Sequence, residues 1–192
     1  MYEIELKYQI DDVSQVLAKL NGMGAIEAAT ESHEDVYYRH PCRDFASTGE
    51  ALRIRRIDGR PHITYKGGKS LVSHGGVSGI KLRRELEWGL APGDENGGKM
   101  AEMLESLGFT VVAKVVKQRR PFEIEFGGIK AAVTIDAVDG IGTFAEIEVL
   151  CEGQAEQQRA TEAIGGVAMQ LGVMTAEPRS YLRMVLEAAG NG

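Results

Sequence analysis

The sequence predicts an α+β fold in which an antiparallel β-sheet closes, or nearly closes, around a charged interior, with helices packed outside. Three observations predict it. Segment after segment alternates apolar and polar residues, the period of a strand with two unlike faces. Charges on the polar faces recur as same-sign pairs, Glu-x-Glu and Arg-x-Arg, where a face built for water would interleave signs, because close like charges repel when partly desolvated. Each helical segment carries one apolar stripe, which suits covering the outside of a sheet. Apolar faces then meet helices and charged faces meet each other. Small barrels are usually filled by apolar side chains, so one lined by charge must hold water, ions or a polyanion.

The elements follow in order. "YEIELKY" sets Tyr2, Ile4, Leu6 and Tyr8 against Glu3, Glu5 and Lys7. "DDVSQVLAKLNGMG" is a helix capped by Asp11 or Asp12, striped by Val13, Val16, Leu17 and Leu20, and ended at Gly22. "EDVYYRHP" is a strand stopped by Pro41, with Tyr37 on the parity of Asp35, and "RDFASTGE" a turn-rich connection. "ALRIRRID" puts Arg53 and Arg55 on one face, and "GR" at 59–60 turns the chain into "PHITYKG", where Thr64 and Lys66 share a face. Residues 67–79 read as a flexible loop, either a lid that closes over substrate with Lys69 and His74 or only a long hairpin loop. Its "GGKS" is no phosphate-binding loop, because Ile63 stands where the first glycine belongs and no helix follows.

"IKLRRELEW" alternates Arg83, Glu85 and Glu87 with Leu82, Leu86 and Trp88. "GKMAEMLESLGF" is a helix with Met100, Met103, Leu104 and Leu107 inward. "AKVVKQRRPFEIEF" and "IKAAVTIDAV" read as three strands, and "GTFAEIEVL" as one more with Glu146 and Glu148 on its polar face. A helix over 154–171 aligns Ala160, Ile164, Val167 and Leu171; a last helix starts at Pro178, and 190–192 form a frayed tail. No linker interrupts this series, so residues 1–189 are expected to form one domain.

Composition excludes some functions. The chain has 192 residues and a net charge of −6, against the basic excess usual for nucleic-acid binding, so no nucleic-acid partner is expected. Neither a signal peptide nor a run of roughly 20 apolar residues is present, which predicts a cytoplasmic protein with no membrane partner. Cys42 and Cys151 read as reduced packing residues, and the four histidines show no zinc-binding spacing.

The chemistry comes from how the charges sort. Clustered carboxylates without thiolate or imidazole select hard divalent cations such as Mg²⁺ or Mn²⁺. Clustered Arg and Lys select phosphate, with Arg offering a bidentate fork. Both kinds in one cavity point to a metal–polyphosphate complex. Arg56, Arg84 and Arg120 have the opposite parity and belong to the surface or rim.

Taken in order, "EIELK", "DVYYRHPCRDFASTGEALRIRR", "TYKGGK", "RRELE", "VVKQRR", "IDAVDGIGTFAEIE" and "RSYL" resemble the CYTH superfamily, the triphosphate tunnel metalloenzymes, and most nearly its class IV adenylyl cyclase-like members. That resemblance implies an eight-stranded antiparallel tunnel. It assigns Glu3, Glu5, Asp136, Glu146 and Glu148 to metal, and Arg53, Arg55, Lys66, Arg83, Lys117 and Arg119 to the phosphate chain. Lys7 and Arg119 are the expected catalytic cations, and Glu85 and Glu87 match positions that hold a second metal or orient arginines. Tyr181 either lines the site or packs, and Ser180 caps the last helix. By resemblance, too, a homodimer is expected.

Three functions follow. One is a class IV-type adenylyl cyclase, converting ATP to cyclic AMP and pyrophosphate. The second is a triphosphatase acting on inorganic, thiamine or nucleoside triphosphate, and the third a non-catalytic polyphosphate or nucleotide sensor. No base-reading motif is legible, so the cyclase is preferred through overall likeness alone.

Overall fold

A computed structural model describes residues 2–190 apart from 69, 75, 76, 153 and 174, with side chains described outside 2, 69–82, 153–155 and 174. The elements run β1 (Tyr2–Gln9), α1 (Val13–Gly22), β2 (Ile26–Glu27), β3 (Glu31–Arg39), α2 (Phe45–Thr48), β4 (Ala51–Ile57), β5 (Arg60–Lys66), β6 (Ser70–His74) and β7 (Val77–Gly89). They continue as α3 (Gly98–Ser106), β8 (Thr110–Phe126), β9 (Ile129–Val138), β10 (Gly142–Cys151), α4 (Gln154–Leu171) and α5 (Tyr181–Ala188).

Eight strands close into an antiparallel barrel in the order β1-β10-β9-β8-β3-β4-β5-β7, and β7 pairs back to β1. β6 adds to β7, and β2 to β8. The β4–β5 hairpin turns on Asp58 and Gly59, with φ of 49° and 81°, the left-handed pair that a two-residue turn needs to match strand twist. Capping follows side-chain chemistry: Asp12, Asp44 and Ser180 each accept a backbone N–H at the start of α1, α2 and α5.

The hydrophobic core lies between barrel and helices. Ile4, Leu6, Ile147 and Val149 of the outer face pack with Leu20 of α1 and Ile164, Val167 and Leu171 of α4. Tyr38, Ile54 and Ile63 pack with Leu104 of α3. A third cluster is placed differently. Tyr37, Val115, Val138 and Phe144 share strand parity with Asp35, Lys117, Asp136 and Glu146, yet they pack with Tyr181 and Met184. One end of the interior is therefore apolar and stoppered by α5.

Several expectations are corrected. The 67–79 loop is a β6–β7 hairpin interrupted by residues outside the described set; Lys69 lies among those, and the side chain of His74 is likewise outside it. Small residues there hide the alternation that reveals a strand. The three strands expected over 113–138 are two, because β8 runs unbroken through Pro121. Pro121 falls where β8 changes neighbour from β3 to β2, and its carbonyl still accepts from Ala28 N at 2.9 Å. α2 and β2 were not expected. Met103 and Leu107 point outward, leaving Leu104 and Met100 to anchor α3, and Leu86 and Trp88 on β7 are exposed rather than under a helix. Ser180, not Pro178, starts α5. Cys151 packs in the core, but Cys42 is exposed, and both are free thiols.

Candidate functional site

Barrel closure turns the polar parity of each strand inward onto a cavity of about 450 Å³. Its charges are sorted. β1, β10 and β7 supply an acidic wall of Glu3, Glu5, Glu146, Glu148, Glu85 and Glu87, and β4 and β8 face it with Arg53, Arg55, Lys117 and Arg119. Lys66 from β5 stands between them, 2.6 Å from Glu3 and 3.0 Å from Glu85. Tyr181 and Leu150 complete the lining.

The basic wall is fixed by carboxylates behind it. Asp35 accepts Nε and Nη2 of Arg55, both at 2.7 Å, and lies 3.4 Å from Arg53 Nη1. Tyr37 Oη is 3.3 Å from the same Arg53 nitrogen. Asp136 does the equivalent work on β9, accepting Arg119 through both oxygens, Lys117 at 2.7 Å and the Tyr181 hydroxyl at 3.0 Å. Such two-point pairing fixes the guanidinium planes of Arg55 and Arg119, whereas Arg53 is held through Nη1 alone and its buried Nε is unpaired. Burial opposes ionisation of Asp35 and Asp136, but the cations beside each hold both carboxyls well below the usual range. Burial, then the neighbouring Arg119, brings Lys117 down to about 8.

On the acidic wall the shifts run the other way. Burial first, then Glu5 and Glu148, raise Glu3 despite its contact with Lys66. Burial, then Glu5 and Glu146, raise Glu148 as well. Excess negative charge is thus held in partial dryness, which a cation would relieve. The donors are oxygen only, the chemistry that suits a hard divalent ion. As the side chains stand, no group of three or more His, Cys, Asp or Glu among the described residues is disposed to hold one.

The structure gathers all but three of the expected site residues on the cavity. Asp136 is fully buried behind the basic wall. Arg83 is buried on β7 opposite Glu3, with its Nε unpaired. Lys7 is turned to the stoppered end, where it donates to the Arg179 carbonyl and lies 4.1 Å from the Tyr181 ring centroid. Arg56, Arg84 and Arg120 are outside the cavity lining; Arg56 pairs with Glu34 and Arg120 with Glu27. Asp35 and His33 were missed. Their signal was the parity shared with Tyr37, but only the register of β3 against β4 and β8 shows which cations they meet. Among the described residues no helix is long and apolar enough to cross a membrane.

The family model of the CYTH domain matches residues 1–181. The Methanocaldococcus jannaschii protein named "Putative adenylate cyclase MJ0240" is 33% identical over 96% of this chain and 98% of its own length. Adenylate cyclase CyaB of Aeromonas hydrophila is 30% identical over 94% of this chain and 86% of its own. Among solved structures, PH1819 of Pyrococcus horikoshii superposes with a TM-score of 0.80 at 39% identity, covering 96% and 98% of the two chains. The fold alone is shared with Hippeastrum HpAC1, described as having a dominant triphosphatase activity, at a TM-score of 0.64 and 19% identity over 98% and 96% of the chains.

Proposed function

The chain belongs to the CYTH domain family, and from the site that it carries we propose a metal-dependent phosphoryl-transfer enzyme acting on a triphosphate-bearing substrate, read most specifically as a class IV-type adenylyl cyclase. One observation carries the reading: an acidic and a basic wall oppose each other across a single cavity. A polyphosphate with a divalent ion is the ligand class that needs both.

In this reading the phosphate chain lies along Arg53, Arg55, Lys117 and Arg119, with the plane of Arg55 preset by Asp35 and that of Arg119 by Asp136. Preset donors stabilise the charge that builds in the transition state without reorganising. Glu5, Glu146 and Glu148, with Glu3 beside Lys66, would hold Mg²⁺ or Mn²⁺, which supplies charge neutralisation at the phosphoryl oxygens. The ribose 3′-oxygen attacks the α-phosphorus, the bond from that phosphorus to the bridging oxygen breaks, and pyrophosphate leaves with its electron pair. The 3′-hydroxyl proton is released to water, and Lys117 and Arg119 stay charged beside the phosphates.

A triphosphatase is the second reading, favoured by the fold shared with HpAC1 and by the same charged set, with water in place of the 3′-oxygen. Incubation with ATP, inorganic triphosphate and thiamine triphosphate, each with Mg²⁺ or Mn²⁺, decides between them. Cyclic AMP and pyrophosphate from ATP is the expected result. Orthophosphate as the sole product moves the chain to the second reading, and binding without turnover removes the enzyme reading altogether.

A further inference from the structure

Among the described residues, Leu150 is the one aliphatic side chain on a cavity wall otherwise built from charged residues and Tyr181. It has inward parity on β10, two residues beyond Glu148, and stands opposite Glu3 of β1. The adjoining outward residues, Val149 and Cys151, are in the core beneath α4, whereas Leu150 is 56% exposed. Leu150 therefore fills no core position, and it offers phosphate nothing.

Its place along the strand gives it a use. The inward residues of β10 run Phe144, Glu146, Glu148, Leu150, and Phe144 packs under α5 at the stoppered end. At roughly 3.3 Å per residue, Leu150 lies about 20 Å further along the strand, away from α5. In the triphosphate reading the phosphate chain lies along Arg53, Arg55, Lys117 and Arg119. With α5 stoppering one end, any organic group that it carries extends towards the other, where Leu150 is exposed. There it meets the apolar surface of Leu150.

We infer that Leu150 is the platform for the nucleoside end of the substrate, so that the cavity takes a nucleoside triphosphate in preference to inorganic triphosphate. This assignment rests on the triphosphate reading of the cavity and names its substrate class. Leu150 acts on specificity alone, and the phosphate contacts are independent of it.

Isothermal titration of ATP and of inorganic tripolyphosphate, each with Mg²⁺, into wild type, Leu150→Asn and Leu150→Met tests it. ATP binding should weaken about tenfold in Leu150→Asn, within the range for a lost apolar contact, and recover in Leu150→Met. Tripolyphosphate binding should stay within about twofold in both. Equal losses for the two ligands, no loss for ATP, or a wild type that binds tripolyphosphate but not ATP overturns the assignment and leaves the triphosphate site standing. A wild type that binds neither ligand overturns the triphosphate reading itself, and this assignment with it.

Discussion

Lys117 Nζ lies 2.7 Å from Asp136 Oδ2, with both side chains out of solvent and Arg119 on the same carboxylate. One anion thus balances two buried cations. Removing it leaves Lys117 uncompensated and Arg119 with Glu146 alone, and breaking a buried pair from one side costs about 3–5 kcal/mol. Asp136→Asn should lower unfolding stability by that order in urea denaturation. A loss below about 1 kcal/mol would mean that the cations find other partners, and the basic wall is not held as described.

His33 offers a pH test at a distance from the carboxylate wall. It is buried, with Nε2 2.6 Å from Glu31 and Nδ1 unpartnered, and burial followed by Arg55 lowers it from 6.5 to about 4. The unfolded chain therefore takes up this proton at a higher pH than the folded one. Its contribution to stability is complete above pH 6.5 and is lost as pH falls towards 4, by up to about 3 kcal/mol. His33→Gln should flatten the stability profile across that window. An unchanged slope between pH 6.5 and 4 would assign the acid sensitivity to other groups.

Glu148 tests the metal. Thermal unfolding of wild type should shift upward with millimolar Mg²⁺ or Mn²⁺, because a ligand that binds only the folded state stabilises it by mass action. Glu148→Gln removes one charge from a wall where like charges already raise Glu3 and Glu148. The metal-free variant should be as stable as wild type or more so, and its metal-induced shift should shrink. A full metal response in the variant would exclude Glu148 from the ligand set.

Much of the barrel was legible because a strand's period is 2: Glu3 and Glu5, Arg53 and Arg55, Glu146 and Glu148 all face inward as their spacing requires. The α4 stripe of Ala160, Ile164, Val167 and Leu171 was legible for the same reason at a period of 3.6. Depth along the barrel was not. Parity puts Lys7 on the charged face, but only the return of residues 176–181 across β1, through Glu177 N to Lys7 O at 2.7 Å and the Arg179 carbonyl, shows that it serves the stopper. Asp136 shares the parity of the other charges, and long-range register decided that it would support cations from behind. Glycine and serine at 67–79 carry too little side-chain contrast for alternation to show.

Adjacent residues on opposite faces of one strand give the most direct test of the charged interior. Arg119 lies on the cavity, paired with Asp136 and Glu146, whereas Arg120 pairs outside with Glu27. The affinity of inorganic tripolyphosphate with Mg²⁺ should be measured for wild type, Arg119→Ala and Arg120→Ala at one salt concentration. The account predicts a loss of at least about tenfold for Arg119→Ala and less than about twofold for Arg120→Ala, since a charge-assisted phosphate contact contributes roughly 1.5–3 kcal/mol. Equal losses in the two variants, or no binding to wild type, would contradict it.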